Sequence, residues 1–461
     1  MARYLLIDFG STFTKLTAVD TDNPRILGTA MAFTTVDEDI HIGYHKAWDS
    51  LFERLGTTVD FDRTIACSSA AGGLKMAAVG LVEELTVEAA KRVCLNAGAK
   101  VDLVLSHHIT RREIKEIRNK NIDIILVAGG ANGGNTECVL YNLKLLGEMN
   151  IHIPIVYAGN KSCQDDVEDM FEAYGLDGYI CDNVMPRINV LDVKNARDTI
   201  REIFLRKIIA GKGIKKIENE IDEIVLPTPQ AVLNAAELLS RGYEDEEGLG
   251  DLVVLDIGGA TTDLYSLCNA SNRSDVIIHG LEEPYAKRTV EGDLGMRYSA
   301  PGIIKSLTPE EKIFINREKN VDIESEVKKR HDDVHTLPEN EHDAFVDQYL
   351  AEICAYRAMH RHVGRLEEVF TPMGVIYNQI GKDLSEVNDV IGTGGVIINA
   401  SDQQGILSKL TNVLHNEKEL RPLHPTYKVD QNYILAAMGL LGEKEPKAAL
   451  KIMKQTLKTI D

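Results

Sequence analysis

Residues 251–263 read Asp-Leu-Val-Val-Leu-Asp-Ile-Gly-Gly-Ala-Thr-Thr-Asp, and the fold is decided on them. The apolar run 252–255 predicts a buried strand. That strand delivers one carboxylate, Asp256, into a Gly-Gly turn, and two hydroxyls and a second carboxylate, Asp263, follow. Glycines let backbone N–H groups approach a ligand closely, and hydroxyls donate to phosphate. A carboxylate faces phosphate only across a cation, for which Mg2+ is the usual candidate. The stretch therefore reads as a phosphate turn with a metal-holding acid, or else as a plain hairpin corner.

Residues 4–15, Tyr-Leu-Leu-Ile-Asp-Phe-Gly-Ser-Thr-Phe-Thr-Lys, repeat the grammar: strand, Asp8, a residue, Gly10, then Ser11 and Thr12. Lys15 reads equally as a phosphate ligand and as a solvated strand lysine. Two such turns suggest two similar half-molecules facing one phosphate chain. A third piece, Asp-Val-Ile-Gly-Thr-Gly-Gly-Val at 389–396, has glycines against which a nucleoside could lie flat. In this order the three pieces resemble the superfamily of actin, sugar kinases and heat-shock chaperone ATPases. The resemblance implies an α/β protein with two actin-like (ribonuclease H-like) ATPase domains around a nucleotide cleft.

The chain has 461 residues, 44% of them hydrophobic, enough for two or three cored domains. Its formal net charge of −20 gives no electrostatic incentive to bind nucleic acid or anionic membrane. The cluster Lys212, Lys215 and Lys216 reads as a solvated helix face. No apolar run approaches a membrane span, and no leader precedes the first strand, so a cytoplasmic protein is expected. Seven scattered cysteines without Cys-x-x-Cys argue for buried thiols and against a zinc or iron–sulfur site on one short motif.

Along the chain, strands are expected at 3–9, 14–20 and 25–33. Alternating strands and helices between 97 and 190 predict a small inserted parallel sheet. Its loop Gly129-Gly-Ala-Asn-Gly-Gly-Asn135 has the wrong spacing for a dinucleotide fingerprint and reads as a structural or partner-contact loop. His107 and His108 read as ordinary polar residues. The stretch 39–43 is one residue short of the cobalamin-binding Asp-x-His-x-x-Gly pattern, so no cobalt ligation is expected from it. The first ATPase domain is then 1–96 with 191–248, and the second is 249–461. In the second, strands near 264–267 and 276–279 are expected to continue a meander, and 242–250 to be a flexible connector. Residues 305–345 read as exposed helices, 345–370 as one long amphipathic helix with His360 and His362 on its polar face, and 444–461 as a basic-faced helix. A small-residue helix at 432–441 fits a hinge. Glu291, Asp293 and Arg297 read either as a coupling element or as a surface salt-bridge set.

Finer resemblance runs through the whole chain. The stretch at 6–15, the loop at 127–135 followed by Val-Tyr-Ala-Gly-Asn, Thr-Val-Glu-Gly-Asp-Leu-Gly-Met-Arg at 289–297 and Val-Ile-Gly-Thr-Gly-Gly at 390–395 resemble the glutamate mutase accessory family, MutL or GlmL, unrelated to the mismatch-repair protein sharing the first name. The resemblance implies ATP and Mg2+ as cofactors, adenosylcobalamin-dependent glutamate mutase as partner, and a chaperone-like ATPase that lets damaged cobalamin leave. On it, Asp8 and Asp256 hold the metal. Gly10, Ser11, Thr12, Lys15, Gly258, Gly259, Thr261 and Thr262 surround the phosphates, Gly392, Thr393, Gly394 and Gly395 receive the nucleoside, and Asp256 or Asp263 orients an attacking water. Rival readings are a small-molecule kinase of this fold and a nucleotide-controlled filament or scaffold. A dehydratase activator would need a cluster-binding cysteine motif. Oligomeric state is open.

Overall fold

The computed structural model describes residues 2–35, 39–56, 59–69, 74–211, 220–269, 276–372, 374–411 and 418–460. Lys212, Lys215 and Lys216, and most of the small-residue loop at 68–74, lie outside them. Two compact units share the chain, one of residues 1–72, 212–279 and 283–461, the other of 73–211 with 280–282.

In the larger unit Arg3–Phe9, Phe13–Asp20 and Arg25–Phe33 form the expected antiparallel meander. Arg63–Ser68 and Glu223–Pro227 extend the sheet in parallel on the other side of Arg3–Phe9. A second sheet repeats this plan. Leu252–Ile257, Thr262–Leu267 and Ala286–Glu291 make its meander, and Asp389–Thr393 and Thr426–Val429 add in parallel beside Leu252–Ile257. Lys458–Ile460 closes that edge antiparallel. Equal strand order and equal directions mark a duplicated ribonuclease H-like fold, the actin-like architecture expected from the two turns.

The helices Thr228–Arg241 and Leu435–Gly442 join the two halves. Their alanines and leucines share one apolar core with Tyr4 and Leu6 of the first sheet and Val254 and Tyr265 of the second. They cross so closely that a Cβ on Gly439 would lie 1.8 Å from the Ala231 carbonyl oxygen.

Several expectations are corrected here. Residues Val276–His279 do not continue the second meander but pair with Gly374–Ile380 in a separate three-stranded sheet. The meander's third strand is Ala286–Glu291, whose charged residues hide the apolar alternation. The long helix is Glu341–His362, and Arg365–Thr371 beyond it is a strand. His362 is buried, because the last helical turn packs on the sheet. Arg330, in the segment expected to be exposed, is buried on Asp347 at 2.5 Å. The connector 242–250 holds a short hairpin, Gly242–Tyr243 with Glu246–Glu247, tied by Lys447 to Asp245 and by Lys454 to Glu246. The C-terminal helix ends at Thr456, before the edge strand.

The smaller unit is a parallel sheet in the order Lys100–Ser106, Lys75–Gly80, Ile124–Val127, Ile155–Tyr157, Gly178–Ile180. The expected limits 97 and 190 fall inside this unit. Lys-Met-Ala-Ala-Val-Gly at 75–80 is an interior strand that lacks the β-branched enrichment which marks strands in sequence. The glycine-rich loop is satisfied from within. Asn160, fully buried, accepts from the Gly133 and Ser162 amides and donates to the carbonyls of Gly134 and Asn135. Asn183 donates to Gly130 and Asn132. That network fits the structural-loop reading. All seven cysteines are buried and unpaired. Among the described residues no helix is long and apolar enough to cross a membrane.

Candidate functional site

A cleft of about 850 Å³ lies in the larger unit, lined from both sheets. Asp8, at the end of the first strand, is 2% exposed. Lys15 stands directly across the ladder from it, with Nζ 2.7 Å from Oδ2. The Thr228 hydroxyl, at the start of the crossing helix, donates to Oδ1 at 2.6 Å. Lys15 also lies 3.6 Å from the centre of the Tyr433 ring. Burial opposes its charge, but Asp8, Tyr433 and Asp256 together outweigh it and hold the ammonium above its ordinary value. The lysine reading is thus resolved as a buried ion pair in the cleft, not a solvated strand residue.

The turn after Asp8 is closed by the Gly10 amide donating to the Phe13 carbonyl at 3.1 Å, where a Cβ on Gly10 would lie 2.6 Å from that oxygen. In the second half Asp256 and Asp263 face each other across the ladder. The Gly258 amide closes this turn on the Thr261 carbonyl. Asp263 is fully engaged: Arg288 donates Nε and Nη2 to Oδ1 at 2.9 and 2.7 Å, and the Thr261 hydroxyl donates to Oδ2. Thr262 turns away and donates to the Leu294 carbonyl. The stretch 289–297 braces the turn, with the Met296 and Arg297 amides donating to the Gly258 and Gly259 carbonyls. Arg297 pairs with Asp347 at 3.0 Å, while Glu291 and Asp293 both pair with Arg361.

The third piece divides. Gly395 lines the cleft with open space where a Cβ would stand, but Gly392 packs inward, where a Cβ would meet Leu407 and Ile397 at 2.8 and 2.9 Å. Thr393 is buried and donates to Asp430. Gly394 has φ 103°, and a Cβ there would lie 2.3 Å from the Ile257 carbonyl oxygen, so this turn sits close against the end of Leu252–Ile257.

Comparison with known proteins adds ancestry to this geometry. A family model described as "MutL protein" matches residues 4–457. Protein MutL of Clostridium tetanomorphum is 49% identical over 459 residues, which are 99% of each chain. The chain belongs to the MutL family. Among solved structures it is similar to gluconate kinase of Lactobacillus acidophilus (TM-score 0.36, 8% identity, 100% of this chain and 93% of that one). It is also similar to Plasmodium falciparum glycerol kinase with ADP (TM-score 0.35, 12% identity, 99% and 90%). Likeness at those scores carries no weight, and the fold assignment rests on the duplicated sheets.

In this MutL-family chain the cleft concentrates opposite charges. Asp8, Asp256, Asp263 and Asp430 gather there against the charges of Lys15 and Arg288. Burial first, then Asp263, pushes Asp256 up to about 7 against the pull of Lys15, and its carboxylate receives no hydrogen bond from a described residue. The buried Thr12 hydroxyl also lacks a partner, and a Cβ on Gly259 would fill the space 2.6 Å from it. An unpartnered carboxylate, an unpartnered hydroxyl and a backbone cradle kept open by glycine fit a divalent cation with phosphate.

Two residues here escaped sequence reasoning. Asp430 caps the helix Leu435–Gly442 through the Ile434 and Leu435 amides, and Thr393 donates to it. Burial raises it above its ordinary value despite those bonds. Tyr433 adopts φ 55°, a left-handed conformation costly for an aromatic residue, and so presents its ring to Lys15. The signal in sequence was the string Asp-Gln-Asn-Tyr just before a small-residue helix, which reads as a cap.

Proposed function

We propose that this protein is an ATP-dependent reactivation factor for adenosylcobalamin-dependent glutamate mutase, hydrolysing ATP to drive exchange of damaged cobalamin. The observation that carries the ATP reading is the pair Asp8 and Asp256, delivered by equivalent strands of two like sheets into one cleft. Membership of the MutL family supports glutamate mutase as partner.

In this reading Asp8 and Asp256 hold Mg2+, directly or through water. Bound there, the ion would neutralise charge developing between the β- and γ-phosphates. The Gly259 amide and the hydroxyls of Ser11 and Thr12 donate to phosphate oxygens, while the Gly10 and Gly258 amides and the Thr261 hydroxyl hold the two turns in shape. Lys15, fixed between Asp8 and Tyr433, supplies the countercharge beside the buried Asp8. Asp256 or Asp263 orients the attacking water. Gly395 receives the nucleoside, and Gly392, Thr393 and Gly394 shape the turn from behind. Nucleotide held by both halves favours one arrangement of the cleft, and hydrolysis releases it.

The test is phosphate release from ATP with and without glutamate mutase whose cobalamin has been inactivated, beside Asp8→Ala and Asp256→Ala. Mutase-stimulated turnover with recovery of mutase activity, both lost in the variants, is the expected result. Turnover that leaves the mutase inactive would refute reactivation and direct the search to kinase substrates or filament assembly.

A further inference from the structure

A separate cluster lies on the first helix of the larger unit. His41 and His45 stand one turn apart on Ile40–Leu55, on the same face. Their Nε2 atoms lie 2.9 Å apart, and His45 Nε2 lies 3.9 Å from Glu220 Oε1. One ligand atom from each of His41, His45 and Glu220 falls within 4.8 Å of the other two, the one such group of three among the described residues. His45 and Glu220 are 39% and 41% exposed, so a solvated ion can reach them. None of the three lines the cleft.

We propose that His41, His45 and Glu220 bind one divalent transition-metal ion of the zinc, nickel or copper kind. Two imidazole nitrogens and one carboxylate are the donor set of these borderline ions, whereas Mg2+ and Ca2+ prefer oxygen throughout. With metal–nitrogen distances of about 2.1 Å, nitrogens 2.9 Å apart subtend close to a right angle at the ion. That angle suits the tetragonal or octahedral coordination of nickel and copper, and leaves positions for water or an incoming ligand. The alternative use of the same geometry is an N–H···N hydrogen bond between the two rings with no ion. A bound ion would tie the helix Ile40–Leu55 to the segment entering Glu223–Pro227, the strand next to Thr228 and its bond to Asp8.

The experiment is equilibrium dialysis of the full chain, stripped with chelator, against Ni2+ and Zn2+ with Mg2+ in excess. One equivalent should bind. His41→Asn and Glu220→Gln should each weaken it by more than the roughly tenfold that losing an outer partner of a ligand costs. The ion should also raise the thermal midpoint of the wild type and of neither variant. Binding unchanged in His41→Asn, or no bound equivalent in the wild type, overturns the proposal. Should a variant fail to fold by circular dichroism, broadening of wild-type histidine resonances by Ni2+ serves instead. Selective broadening of two imidazoles supports the site, and none refutes it.

Discussion

Asp8 and Asp256 are the residues at which function is most exposed to test. Asn at either position keeps the shape and removes the charge. Each is expected to lower phosphate release by about a hundredfold or more, the scale of losing one contact that stabilises transition-state charge, with circular dichroism unchanged. Wild-type turnover in both would end their metal-holding role. His362 sets a pH dependence of stability instead. Burial, with the charges of Lys287 and Lys382, holds it well below its ordinary value, neutral between the hydroxyls of Thr289 and Ser266. The unfolded chain protonates this ring near pH 6.5 and the folded chain does not. The unfolded state therefore binds more protons below that pH, and stability present above it is lost on acidification, by about 1.4 kcal/mol per pH unit from this group. Urea unfolding of His362→Gln should show a shallower loss than wild type between about pH 6.5 and 5.5. Equal slopes would mean that the folded protein protonates His362. The two aspartates were legible in sequence because each ends an apolar strand before a glycine turn. His362 was not, since a helical wheel cannot show which turn of a helix abuts a sheet.

Among the elements, the crossing of Thr228–Arg241 with Leu435–Gly442 is the one least tolerant of change. Gly439→Val would force side-chain atoms into the Ala231 carbonyl. Overpacking of this kind costs about 1–3 kcal/mol or more, read as a lower urea midpoint, whereas Gly442→Ala, with its nearest neighbour the flexible Leu238 side chain at 3.2 Å, should cost less. A Gly439→Val chain as stable as wild type would show that the helices separate freely. The small-residue pattern made this crossing readable from sequence. The partner of each strand was less so: Val276–His279 carries a strong apolar signal yet joins another sheet, while Ala286–Glu291 hides its pairing behind Lys287, Arg288 and Glu291. Strand propensity is local, and register is decided by residues far away in the chain.

For the whole molecule, the 73–211 unit is our candidate for contact with the mutase. Removing 97–190 would leave Lys75–Gly80, an interior strand, with both edges bare. Replacing 74–211 by a Gly-Ser linker is the cleaner deletion, expected to keep ATP binding and abolish mutase binding in pull-down with purified mutase. Retained mutase binding would move the contact to the larger unit. The duplicated fold could be read from two short turns because both halves keep the same phosphate grammar. The limits of the smaller unit could not, because a boundary is a property of packing and leaves no residue type of its own.

The Gly439–Ala231 contact also bears on how the two halves could move. Backbone resting on backbone, without side chains between, is a bearing surface. It permits twist about the contact point, while the apolar core that the two helices share with both sheets resists the halves being drawn apart. On the proposed ATPase reading, work released in the cleft would leave the protein as torque about that pivot, felt by a partner as a turn of one lobe rather than a widening jaw.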